Sequence, residues 1–193
     1  MTSVTLCSDD ELQELMAAMQ SDDRDELQRA DRLIDAYPAD PRLHFLRGSV
    51  LASIGRPIEA LPSLKQAVAL APDFAIARFQ LGFFQLSSGE AVDALTTWGP
   101  IALLPEGHYL RFFVGGLTHL IRDEFDEAIA RFNEGIAVNE ENPALNGDMQ
   151  LIIRQIGDVQ NAVASDAEAA EGGDTASATS FLLDQFSGQK RPN

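Results

Sequence analysis

The sequence predicts an all-α fold, an α-solenoid of stacked helix-turn-helix units with a C-terminal capping helix and a flexible tail. Three observations predict it. Columns recur every 34 residues: Gly48, Gly82 and Gly116; Ala60, Ala94 and Ala128; Phe45, Phe79 and Phe113; and the large apolar Leu64, Trp98 and Phe132. Periods of this length belong to arrays of small supersecondary units. Helix breakers fall midway through each period, at Gly55, Ser88-Gly89 and Asp123, which divides every unit into two helices, A and B. Finally, 45% of the residues are hydrophobic, and each pair carries apolar residues on more than one face. A lone pair cannot bury them all, so the pairs must stack.

The first clear copy, 41–74, gives helix A from about Pro41 to Ile54 and helix B from Pro57 to about Leu70. Proline is welcome at a first helical position, where its missing N–H has no partner to lose, and Ala71-Pro72 ends the pair. The second copy, 75–108, gives helix A over about 73–87 and helix B over 90–104. Pro100 lies inside that second helix and is expected to kink or shorten it, through the lost N–H and the ring clash with the preceding turn. The third copy, 109–142, gives helices over about 107–121 and 124–138. Residues 7–40 read as a degenerate copy in the same phase, with Pro38 ahead of Pro72 by one period and Glu14 in the glycine column. Its helices are expected over 8–20 and 22–37, with Ser8 and Ser21 as N-caps and Ser8/Glu11 as a capping box. Asn142-Pro143 opens a lone capping helix over 143–156, so the array is read as 1–157. Residues 158–193 read as an acidic Ala/Ser/Gly linker, helical at most at its start, and a tail. That tail carries an abrupt apolar cluster: Phe181, Leu182, Leu183 and Phe186.

The small columns have a mechanical reading. Glycine inside a helix costs about 1 kcal/mol relative to alanine. Gly48 facing Ala60 lets two helix axes approach closely, and the large residue at Leu64 fills the space where the pair diverges.

On these residues the chain resembles the tetratricopeptide repeat (TPR) family, whose pattern has an apolar-glycine step in helix A, an alanine and an aromatic in helix B, and a closing proline. Leu81-Gly82 and Gly115-Gly116 occupy the apolar-glycine step, with Gly115 where the family has an apolar residue, and Pro72 stands at the closing proline. The resemblance implies a right-handed solenoid whose A helices line a concave groove. It places Phe45, Ile76, Phe79, Phe83, Leu86, Leu110, Phe113, Leu117 and Leu120 along that groove as an apolar peptide-binding surface. TPR domains that hold chaperone tails use cations at such positions. This chain does not, which argues against that role.

Fourteen Lys+Arg stand against thirty Asp+Glu, for a net charge of −16. That disfavours nucleic acid, whose binders displace phosphate counterions with cations, and anionic membrane surfaces. Residues 1–40 are the most acidic stretch, with eleven acids and three bases. No apolar run approaches the length of a membrane span, and the first residues lack a basic region followed by an apolar one. The expected location is the cytoplasm.

No catalytic set is legible. His44, His108 and His119 lack partners at metal-binding helical spacing. Cys7 has no activating base beside it, and no phosphate-binding glycine loop occurs. The expectation is a protein without cofactor or metal, not an enzyme, that binds a protein or peptide with apolar anchors as a scaffold or adaptor. Alternatives are a dedicated chaperone for a secreted or membrane-active client, similar to type III secretion translocator chaperones, and the regulatory subunit of an enzyme. An apolar groove also suits homodimerisation. The cluster at Phe181, Leu182, Leu183 and Phe186 could plug such a groove from within the same chain.

Overall fold

The computed structural model describes residues 5–21 and 25–169, with backbone alone for 20 and 162–169. Among these residues, nine α-helices and one 3-10 helix follow one another without a strand. They are α1 (Asp9–Gln20), α2 (Glu26–Ala36), α3 (Pro41–Ser53), α4 (Pro57–Leu70), α5 (Ala75–Ser87), α6 (Ala91–Trp98), the 3-10 helix (Gly99–Leu103), α7 (Tyr109–Leu120), α8 (Phe125–Val138) and α9 (Pro143–Ala169). The chain divides into two compact units between Leu81 and Gly82, inside α5.

The 34-residue rhythm is written into the backbone. Gly55, Gly89 and Asp123 all take left-handed conformations, at φ +73°, +81° and +58°. Glycine does so without steric cost, and aspartate is among the few other residues that tolerate it. In each turn the next N–H reaches back to the preceding helix: Arg56 to the Leu51 carbonyl at 2.8 Å, Glu90 to Gln85 at 2.9 Å, Glu124 to His119 at 3.0 Å. The turns between copies also match. The N–H groups of Asp40, Phe74 and His108 donate to the carbonyls of Tyr37, Ala71 and Pro105 at 3.1, 3.0 and 2.9 Å.

The glycine column is a set of sockets. A Cβ on Gly48 would meet Leu64 at 2.8 Å, one on Gly82 would strike the Trp98 indole, and one on Gly116 the Phe132 ring. The large residue therefore lies directly over the glycine and does not fill a gap beyond it, as the sequence had suggested. Trp98 and Phe132 are buried, as are the alanines at 60, 94 and 128.

In the first unit, α3 packs between α2 and α4. The Arg47 guanidinium donates to Asp31 of α2 and to the Ser63 hydroxyl of α4, both at 2.7 Å. It also lies beside the first part of α5, with Ser49 Oγ 3.0 Å from Gln80 Oε1 and the Phe45 and Phe74 ring centroids 5.3 Å apart. The start of α1 is clasped to the start of α3 by Asp40, which is fully buried. Its carboxylate accepts from the Cys7 N–H at 3.0 Å, the Arg42 N–H at 3.0 Å and the Arg42 guanidinium at 2.7 Å. That guanidinium also donates to the Cys7 carbonyl at 2.7 Å.

In the second unit, α7 and α8 form a hairpin and α9 packs on α8. Gln160 of α9 donates to Asp126 of α8 at 3.3 Å. The α8–α9 junction is knotted by Asn139, whose amide donates to the Asn142 carbonyl and the Asn146 side chain, both at 2.8 Å.

Several expectations change. Ser21 ends α1: its N–H and hydroxyl reach back to the Ala17 and Ala18 carbonyls, while the residue before α2 is Asp25. Pro62 sits within α4. Only the bond to the Ile58 carbonyl, in the first turn, is forfeited there, and the helix continues. Helix B of the second copy stops at Trp98, and Gly99-Pro100 turns it into the 3-10 helix, the shortening expected of Pro100. The capping helix does not end at 156. It runs on to Ala169, through Gly157 and into the stretch read as linker, because residues 158–169 hold no glycine or proline and their alanines favour continuing the helix. The apolar cluster Phe181, Leu182, Leu183 and Phe186 lies outside the described residues.

Candidate functional site

Of the nine residues assigned to an open groove, six are core. Phe79, Leu86, Leu110, Phe113, Leu117 and Leu120 are all buried, and Phe113 is 0% exposed. The reason is clearest at Phe113. Its ring lies over Gly135 of α8, where a Cβ would collide with it, and it meets Tyr109 edge-on with centroids 5.8 Å apart. Phe113 thus fills the inside of the α7–α8 hairpin and is not available to a ligand. Phe45, Ile76 and Phe83 are half-buried, and Phe45 packs against the core of the first unit.

The open apolar surface lies elsewhere. In the second unit a cleft of about 300 Å³ runs between α6 with its 3-10 extension and α7. It is lined by Leu95, Trp98, Gly99, Ile101 and Ala102 on one side and by Arg111, Val114, Gly115 and Thr118 on the other. Two departures from the repeat pattern make it. Gly99-Pro100 cuts α6 short, so the wall changes from α-helix to 3-10 helix at Trp98. Gly115 occupies the column held by Arg47 and Leu81 in the other copies and leaves its place unfilled. A Cβ there would find nothing nearer than the Arg131 side chain at 3.8 Å. Leu95, 40% exposed, lines the cleft, and Leu103, 89% exposed, sits on the same 3-10 segment.

One cation stands in this apolar setting. The Arg111 guanidinium donates to the Leu104 carbonyl at 2.9 Å, and among the described residues no carboxylate pairs with it.

A larger cleft of about 460 Å³ lies in the first unit between α2, α3 and α4, lined by Asp31, Ile34, Asp35, His44, Arg47, Pro62, Ser63 and Gln66. Its guanidinium is already held by Asp31 and Ser63, and its imidazole by the Pro38 carbonyl.

Cys7 and the histidines are tied into structure. Cys7 is buried, its thiol lies 3.6 Å from Glu11 Oε2, and burial followed by the Glu11 charge pushes its pKa up to about 11. A thiol so protonated is a poor nucleophile at neutral pH. His44 holds the Pro38 carbonyl at 2.8 Å, His108 caps α7 by accepting the Leu110 N–H at 3.2 Å, and His119 lies 2.6 Å from Glu124 across the turn. No group of residues suited to hold a metal occurs among the described residues, and none of their helices is long and apolar enough to cross a membrane.

Sequence reasoning missed Leu95, Arg111, Val114 and Thr118. The signal was present as exceptions to the pattern. Gly115 breaks a repeat column and Pro100 cuts a repeat helix short, and Pro100's neighbours Gly99 and Ile101 line the same cleft as Gly115. The chain matches no protein-family model and no curated protein.

Proposed function

We propose that the chain is a non-enzymatic protein-interaction module of the TPR kind, which binds an apolar or amphipathic peptide segment. The α6–α7 cleft supports this reading. It pairs an apolar floor with a rim arginine, the arrangement by which a few large side chains anchor a segment and one charge sets its direction. The site differs from the groove suggested by the repeat pattern, whose aromatic ladder is largely spent on the core. Substitution of Gly115 by leucine tests the proposal, because a Cβ there meets only an ordinary contact with Arg131 and Gly115 lines the cleft, so the added side chain is expected to narrow it. An array of labelled apolar 12-residue peptides is screened against wild type and Gly115→Leu. Binding to wild type is expected to fall at least about tenfold in the variant, with far-ultraviolet circular dichroism unchanged. Equal binding by both proteins would remove the cleft as the site.

A further inference from the structure

We propose that the occupant of the α6–α7 cleft is the chain's own C-terminal segment Phe181–Phe186, with Asp184 paired to Arg111. This rests on reading the cleft as a peptide site and names what fills it. Three observations carry it.

The first is chemical match. The cleft offers an apolar floor and one guanidinium without a carboxylate. Phe181-Leu182-Leu183-Asp184-Gln185-Phe186 offers four large apolar side chains around a single acid. A charge-assisted pair at the rim of an apolar cleft is the arrangement that fixes direction and register.

The second is reach. Cleft and α9 belong to the same compact unit. Gln160 of α9 touches Asp126 at the start of α8, one turn of chain beyond Thr118, which lines the cleft. That separation is on the order of 10–15 Å. From Gln160, α9 continues to Ala169, about 13 Å further. Residues 170–180 then span up to about 36–40 Å when extended, which covers the return to the cleft.

The third is concentration. A segment on so short a tether meets its site at an effective concentration on the order of millimolar. Even a weak contact is then largely occupied, and an outside partner must displace it. The tail thereby sets a threshold for partner binding.

Hydrogen exchange on the full-length chain reads the docking. Amides of 181–186 are expected to exchange at least about tenfold more slowly than unstructured chain. The protection is expected to vanish in Arg111→Asp and in Asp184→Arg, and to return in the double variant. It is expected to be independent of protein concentration. Protection that grows with concentration would assign the segment to a second copy and overturn docking within one chain. Unprotected exchange in wild type, or protection indifferent to the charge exchange, would overturn it as well.

A labelled peptide spanning residues 178–189 separates this failure from failure of the cleft itself. It is titrated onto wild type and onto the full-length Phe181→Ala/Leu182→Ala/Phe186→Ala variant, whose cleft is vacated. At least about tenfold tighter binding to the variant is expected. Equal binding to both proteins leaves the cleft as a peptide site and overturns the internal plug. Binding to neither overturns both.

Discussion

At the scale of single residues, three side chains carry measurable consequences. Cys7 is expected to resist alkylation at pH 8 and to become reactive only toward pH 11, followed by the mass that the alkyl group adds to the chain. Unfolding at pH 8 should expose it at once. Asp40 makes a second case. Burial drives its pKa upward, but the hydrogen bonds from the Arg42 guanidinium and the Arg42 and Cys7 N–H groups outweigh that and hold it below the ordinary carboxylate value. A depressed pKa stabilises the fold above the unfolded value of about 4, and that stabilisation is lost as pH falls through the lower folded value. The urea midpoint should therefore be flat from pH 7 to about 5 and decline below about 4, with part of the decline absent in Asp40→Asn. Asp40→Ala leaves Arg42 and the Cys7 N–H without their acceptor and should cost about 3 kcal/mol at pH 7. Phe113→Ala empties a fully buried site and should cost about 3–5 kcal/mol by urea denaturation. A loss below about 1 kcal/mol would mean that the ring does not fill the hairpin.

At the scale of elements, the glycines separate into two kinds, and substitution tells them apart. Gly116→Ala gains about 1 kcal/mol of helix propensity but forces the Phe132 ring aside, an overpacking cost of about 1–3 kcal/mol. The net effect should be destabilising, and Phe132→Leu in the same chain should recover part of it. Gly89→Ala meets open space, yet the left-handed backbone alone should cost about 1–2 kcal/mol. The element boundaries were largely legible because they rest on local chemistry: Pro41 and Pro57 at first positions, the Ser8/Glu11 box, and Gly55 and Gly89 at the turns. The facing of α7 was not. Its apolar residues Leu110, Phe113, Leu117 and Leu120 fall at three- and four-residue spacing, which serves a buried stripe and a groove equally well. What decides between them is Gly135 on α8, which makes room for Phe113. No rule of periodicity links those two residues in advance. The length of α9 escaped for a different reason. Gly157 stands in the turn column, but α9 runs through it to Ala169 without turning back.

At the scale of the whole molecule, the net charge of −16 opposes compaction by self-repulsion, which salt screens. Raising sodium chloride from 10 to 150 mM should increase the urea midpoint, and an unchanged midpoint would show that the acids are too dispersed to matter. The all-helical architecture and the packing of neighbouring helices were legible at this scale from the period, whereas the candidate site was legible only where the period fails, at Pro100 and Gly115.

The socketing of each large side chain onto a glycine only sixteen positions earlier also bears on how the polypeptide acquires its shape. Such contacts close within a short stretch of chain, and low sequence separation favours rapid folding. A nascent chain can therefore lock each hairpin as it leaves the ribosome, in order from the amino terminus. No hairpin has to wait for a distant strand of sequence still to be synthesised.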